Sequence, residues 1–174
     1  MPLPKKLLAF LERAKTPYEP FSHRVVYTAY DTAQTLRVKV TEVAKPLLVK
    51  ADKRFALALL SAGHTLDLTK VTKLLNAKKV RIPTEKEILA LLKLKKKEGL
   101  SSFGSLYALP TLLEKSFAKN VKGIFSTGSF TDSVKIKLKD FIKLESPTVG
   151  IFGLVKKVVV PKKKKSPKKQ RSKK

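Results

Sequence analysis

Residues 46–60 constrain the fold more than any other stretch of the chain. Residues 46–51 (PLLVKA) and 54–60 (RFALALL) are two strand-like runs separated by Asp52 and Lys53, the spacing of a two-residue hairpin turn. The second run is apolar at every position after Arg54, so it lacks the alternation of a half-exposed strand and needs cover on both faces. A chain organised around such a hairpin has to supply helices or further sheet on each side of it.

The flanking sequence offers both. Residues 4–15 place Leu7, Leu8, Phe10 and Leu11 on one helical stripe, with Pro4 suited to the first turn. Residues 23–27 (HRVVY) read as a strand, and residues 31–36 as a short helix capped by Asp31 or Thr28. Asp67 caps a helix through Ala77, residues 78–82 form a short strand, and Thr84 with Glu87 makes a capping box before a helix over 85–96. Residues 106–109 are strand-like, 112–117 a helical turn, 123–127 a strand and 128–132 a turn. Val134, Ile136 and Leu138 alternate with lysines, and 140–144 is a last helical turn. Interleaved strands and helices with an antiparallel hairpin predict one α+β domain around a mixed sheet.

Charge sets the partner class. The chain of 174 residues carries 39 Lys and Arg against 13 Asp and Glu, a net charge of +26. Nine of those cations lie in residues 161–174 (PKKKKSPKKQRSKK), which hold no acidic residue and no apolar one except proline. Such a segment buries too little surface to offset its ordering entropy, so a disordered basic tail is expected, with Lys162, Lys163, Lys164, Lys165, Lys168, Lys169 and Arg171 reaching for phosphates. Without it, 30 basic and 13 acidic residues leave the body at +17. Nucleic acid is the expected partner, since neutralising phosphates releases condensed counterions. A body of that charge also resists self-association, so a monomer is expected.

Several classes drop out. No apolar run approaches the roughly 20 residues that cross a bilayer, so no membrane partner is expected, and the N-terminus lacks the apolar core of a secretory signal. A cytoplasmic location follows. There is no cysteine, hence no disulfide, thiolate metal site or thiol nucleophile, and His23 and His64 alone do not make a zinc site. No phosphate-binding glycine loop, HExxH or nucleophile elbow is present. No metal or cofactor is expected. Glu12, Glu42, Glu85, Glu87 and Glu98 fall at helical or helix-end positions, where solvation or capping accounts for them.

The order of segments goes further. Residues 23–29 (HRVVYTA), 31–35 (DTAQT), 42–50 (EVAKPLLVK), 55–60 (FALALL) and 66–68 (LDL) occur in the order found in the YbaK/prolyl-tRNA synthetase-associated domain family, which the chain resembles. The likeness continues through the glycine-bearing loop 99–104 and through 124–129 (IFSTGS) to Leu144. It implies a single α+β domain with a mixed, partly barrel-like sheet flanked by helices. On this reading residues 1–17 are an N-terminal helix, 18–145 the editing-like domain, 146–160 a connecting segment and 161–174 the tail.

The resemblance also implies a chemistry: hydrolysis of the ester joining a wrong amino acid to the 3′-terminal ribose of a tRNA, with a synthetase as a further possible partner. The functional lysine of the family corresponds to Lys45. Its ammonium can hold the terminal phosphate or stabilise charge on the ester carbonyl oxygen, so that water or the ribose's own hydroxyl attacks and no nucleophilic side chain is needed. His23, Thr28, Gly99, Ser101, Ser102, Gly104, Gly128 and Ser129 are the candidate substrate-binding residues, with the Lys45 amine expected near the Ser101–Ser102 backbone. The family loop commonly reads Gly-x-x-x-Pro. Here Ser102 stands at the proline position and Glu98 at the glycine position, which predicts a looser loop, and Pro46 follows Lys45 where a small polar residue is usual. A second reading is therefore a non-catalytic RNA-binding module that kept the fold, with a degenerate site and the polylysine tail.

Overall fold

The computed structural model of the chain describes residues 3–95 and 98–155. In chain order the elements are α1 (Lys5–Arg13), β1 (Glu19–Ser22), α2 (Ala29–Leu36), β2 (Ala44–Ala51), β3 (Arg54–Ser61), β4 (His64–Leu66), α3 (Leu68–Leu74), β5 (Val80–Arg81) and α4 (Glu85–Leu92). A 3-10 turn at Gly104–Tyr107 then leads to β6 (Thr111–Glu114), α5 (Lys115–Ala118), β7 (Lys122–Ser126), β8 (Asp132–Lys137), α6 (Leu138–Glu145), β9 (Thr148–Gly150) and β10 (Gly153–Val155).

The hairpin forms as its sequence requires. β2 and β3 pair antiparallel from Ala44–Ser61 to Ala51–Arg54, with Asp52 in the left-handed conformation at the turn. β3 then divides its side chains between two cores. Leu57 and Leu59 join α1, Phe103, Phe117, Phe125 and Phe141, whereas Ala56, Ala58 and Leu60 join Val49, Val71 and Phe152 on the other face. Two-sided burial is the reason its sequence shows no period of two.

The strand order β5-β2-β3-β6-β9 is mixed: β3–β6 and β6–β9 are parallel, while β2–β3 and β2–β5 are antiparallel. A second sheet, β1-β8-β7, is antiparallel throughout and adjoins the first through a parallel bridge between Val43 and Ile124. β4 and β10 make a two-stranded ribbon. This is an α+β domain with a mixed sheet, and among the described residues the sheet does not close into a barrel. No helix among them is long and apolar enough to cross a membrane.

Caps confirm the helix starts. The Thr28 hydroxyl, not Asp31, accepts the first-turn amide of α2, Asp67 accepts from Lys70 N, and Thr84 with Glu87 forms the full capping box of α4. Glu87 also receives both arms of Arg81, at 2.8 and 2.5 Å, tying α4 to β5.

Other local expectations change. The strand expected at 23–27 lies at Glu19–Ser22, where β1 pairs with β8. Residues 23–27 hold to the sheet through His23 N and Val26 N, which donate to the carbonyls of Thr131 and Phe130 before Thr28 opens α2. Residues 106–109 are not a strand but finish the 3-10 turn, and of the helical turn expected at 112–117 the first three residues belong to β6, the helix itself being α5. All four residues of β6 are buried between β3 and β9, so no polar face marks it as a strand. Leu138 starts α6 rather than ending β8. The described part of the expected connector 146–160 supplies β9 and β10, and the rest of it, like the tail, lies outside the described residues.

At the centre, five phenylalanine rings pack together. Phe125 and Phe141 stack at 4.1 Å with an interplanar angle of 11°, and Phe103 meets them at 6.0 and 5.6 Å. Phe10 and Phe117 close the cluster edge-on. Phe103 comes from the glycine-bearing loop, so core packing anchors that loop. Phe103→Ala should lower the unfolding free energy by about 3–5 kcal/mol, read by urea denaturation. A loss below about 1 kcal/mol would show that the loop is held otherwise.

Candidate functional site

β2 and β8 bring their side chains to one end of the joined sheets, and there the start of α2 and the loop before Phe103 enclose a cavity of about 290 Å³. Lys45 and Pro46 reach its wall from β2, Thr28 from the N-cap of α2, and Ser133 from β8. Lys45 is half-buried, and its ammonium donates to the carbonyl of His64, the first residue of β4. His64 in turn shares a hydrogen bond through Nδ1 with the Ser61 hydroxyl. His64 therefore pairs in a strand and orients the lysine, instead of standing on the surface of a turn.

His23 lines the same cavity. Its Nδ1 lies 2.9 Å from the Arg24 carbonyl and its Nε2 2.9 Å from the Ser133 hydroxyl. A carbonyl only accepts, so Nδ1 carries the proton. In the neutral imidazole Nε2 then accepts from Ser133, leaving the oxygen lone pairs of Ser133 for other donors.

Two loops meet at the cavity floor through a lattice of serine hydrogen bonds. Ser102 N donates to Ser126 O at 2.9 Å, and Ser126 N donates back to the Ser102 hydroxyl at 3.0 Å. The Ser126 hydroxyl donates to Leu100 O, the Ser101 hydroxyl to Ser126 O, and Gly99 N to Gly128 O. The loop is thus held tightly without proline: the looseness expected from Ser102 does not arise, because its hydroxyl is fully buried and bonded.

The consequence for the site is selective. Lys45, His23, Thr28, Gly99 and Ser129 come together at the cavity. Ser101, Ser102, Gly104 and Gly128 are not in its wall. Ser101 and Ser102 are spent on β7, and the Lys45 ammonium donates to the His64 carbonyl. Gly104 is buried against Thr111 and the Leu109 carbonyl, where a side chain would collide. Gly128, at φ +92°, permits the turn that aims its carbonyl at Gly99. Glu98 also stays out of the cavity, its carboxylate accepting from Lys95 N. The basic run 161–174 lies outside the described residues.

Sequence reasoning missed Asp132. Its carboxylate is buried and receives the hydroxyls of Ser22, Ser129 and Thr131 at 3.0, 2.9 and 2.7 Å, so the Ser129 side chain serves the turn rather than the cavity. An acid within three residues of two hydroxyls, in a turn, was the available signal. Tyr27, Phe130 and Ser133 were missed as cavity residues too, and nothing in their spacing singles them out. Among the described residues no three His, Asp or Glu side chains gather into a metal-binding group.

Burial pushes the Asp132 carboxyl up, but the hydroxyls of Thr131, Ser129 and Ser22 outweigh it and hold the group below its usual 3.8. A lowered pKa means stabilisation that is complete above the ordinary value and is lost as pH falls through the folded one. Asp132→Asn should therefore unfold at lower denaturant at pH 7 and show a shallower loss of stability on acidification. An unchanged midpoint at both pH values would contradict the network.

Comparison with known proteins identifies the family and the fold. The aminoacyl-tRNA editing domain family model matches residues 23–144, which hold every cavity-lining residue. A crystal structure of a candidate trans-editing enzyme for prolyl tRNA synthetase superposes with TM-score 0.72 at 21% identity, covering 85% of this chain and 94% of that one. The hypothetical protein APE2540 gives TM-score 0.76 at 14% identity over 86% and 99% of the two chains. A scaffold protein used for computational epitope backbone grafting gives 0.73 at 20% over 85% and 94%. At these identities the structures show a shared fold. No curated protein sequence matches. With the family model spanning most of the folded residues, the chain belongs to the aminoacyl-tRNA editing domain family.

Proposed function

We propose that the protein is a trans-acting aminoacyl-tRNA deacylase, removing wrong amino acids from the 3′ end of tRNA. One observation carries the reading: a cation, Lys45, and a hydrogen-bonded His23–Ser133 pair line a single cavity that is otherwise largely apolar. Its volume of about 290 Å³ sits at the small end of ligand pockets, roughly 300–1,000 Å³, and accommodates an aminoacyl group.

In this mechanism the amino-acid side chain enters between Val26, Ala29 and Leu47, and the ester carbonyl faces Lys45. Attack on the carbonyl carbon gives a tetrahedral centre whose oxyanion the ammonium stabilises, the step where a preorganised charge in a water-poor site helps most. The Ser133 hydroxyl, its proton directed to His23 Nε2, offers lone pairs that orient a water toward that carbon. The ester C–O bond then breaks, the water oxygen remains in the released carboxylate, one water proton passes to the ribose oxygen and the other leaves to solvent as the acid ionises. The body charge of +17 supplies the sequence-independent attraction to the tRNA backbone, and a synthetase is a partner that could hand over the mischarged product.

Two observations favour the second reading, an RNA-binding module without catalysis. Pro46 provides no backbone N–H at the wall beside Lys45, and the Lys45 ammonium is already bonded to a carbonyl.

One experiment separates the two. Alanyl, seryl and cysteinyl esters of non-cognate tRNAs are incubated with wild type and Lys45→Ala. Hydrolysis of at least one, falling by on the order of 100-fold or more in the mutant while tRNA binding persists, is the expected outcome, in line with loss of one oxyanion donor. Tight, salt-dependent binding with no hydrolysis on any member of the panel would leave the binding module standing instead.

A further inference from the structure

At the mouth of the cavity a tilted aromatic pair runs from the half-buried Phe130 to the solvent-exposed Tyr27. Phe130 lies against Gly99 so closely that a Cβ on Gly99 would sit 2.9 Å from its ring, so a larger residue there would displace the ring. Tyr27 leans on the other part of Phe130, ring centroids 5.1 Å apart at 59°. Both rings line the cavity, yet Tyr27 is 75% exposed. The backbone beneath the pair is tied: Val26 N donates to Phe130 O at 2.9 Å, and Thr28 caps α2 immediately after Tyr27. Tyr30, 55% exposed, and the exposed Arg24, whose Nε donates to Thr35, stand along the same stretch of chain.

Elsewhere on the surface, aromatic rings carry lysines: Lys50 lies over Phe55 and Lys135 over Phe21. Tyr27 instead presents a ring backed by Phe130 at the rim of the cavity. Unstacked bases of single-stranded RNA are bound by such rings, each stack contributing on the order of 1–3 kcal/mol.

We infer that Tyr27, backed by Phe130, is a stacking ledge for the 3′-terminal base of the tRNA, holding the nucleobase outside the cavity while the aminoacyl group enters it. The inference rests on the reading of the cavity as an aminoacyl-ester site. In this arrangement the ribose lies at the rim, between Tyr27 and Lys45. The ledge recognises a planar base through its face, and the cavity recognises the amino acid.

The test is a binding measurement, so hydrolysis does not enter it. The chain has four tyrosines and no tryptophan, and stacking on an exposed tyrosine ring quenches its fluorescence. The full-length protein is titrated with the RNA trinucleotide CCA and with the same oligonucleotide carrying an abasic 3′-terminal residue, by fluorescence and by calorimetry. CCA should quench wild type and bind on the order of tenfold more tightly than the abasic oligonucleotide. By calorimetry Tyr27→Phe should retain that preference, and Tyr27→Ala should lose it while binding the abasic ligand as wild type does. No preference for CCA in wild type, or a Tyr27→Ala protein that keeps the preference, would overturn the ledge. A protein that shows the preference but hydrolyses no mischarged tRNA would keep the ledge and lose the deacylase.

Discussion

Serine hydrogen bonds between the 99–104 loop and the end of β7 determine what the rest of the site can be. Ser102 and Ser126 exchange two bonds, Ser101 and Leu100 add two more, and Gly99 binds Gly128 beyond them. Ser101 and Ser102 are buried, where an unmade bond is costly. Phe103, next in the chain, is clamped in the aromatic core. The loop is therefore fixed at both its polar and its apolar end, and only Gly99 and Leu100 of it face the cavity. Gly99 lies against Phe130, and Phe130 against Tyr27. A local exchange of amide and hydroxyl groups thus reaches the rim of the cavity some distance away.

The same economy appears on the other wall. Lys45 occupies a strand position whose neighbours are set by the antiparallel register of β2 and β3, and His64 reaches it only because the chain turns directly from β3 into β4. The carbonyl that orients the ammonium comes from a residue whose side chain is itself tied to Ser61. On the third wall, Asp132 gathers three hydroxyls and so shapes the turn that carries Phe130 and precedes Ser133. Lys45, the His23–Ser133 pair and the Tyr27–Phe130 pair are each adjoined by polar networks, the means by which a site is positioned on a small domain.

Much of this architecture was legible in the residues. The β2–β3 hairpin, the caps at Thr28, Asp67 and Thr84, and the apolar stripe of α1 rest on local chemistry that one sequence displays. β6 was not legible, because Thr111–Glu114 is buried on all sides and a short buried run has neither a helical nor a strand period. β9 and β10 were hidden for a different reason: three-residue strands are recruited by the edges they pair with, β6 and β4, and not by their own propensity. Within the site, Lys45, His23, Thr28 and Gly99 came from the ordered resemblance. Ser133 and Tyr27 became visible only once β1, β8 and α2 were placed, since the pairing of residues 23 and 133 spans 110 positions. Ser102 is the instructive case. Compared with proline it looked like a loss of rigidity, and the structure shows a hydroxyl doing the same task through a bond to Ser126 N.

The central claim is that the cavity beside Lys45 receives the aminoacyl group. Methyl NMR of the full-length protein, titrated with a non-hydrolysable 3′-aminoacylamide of adenosine, tests it without requiring turnover. The account predicts shift changes concentrated on the methyls of Val26, Ala29 and Leu47, all of which line the cavity. Saturable binding that leaves those three methyls unmoved and shifts others, such as those of Val121 or Leu154 on the outer surface, would contradict it.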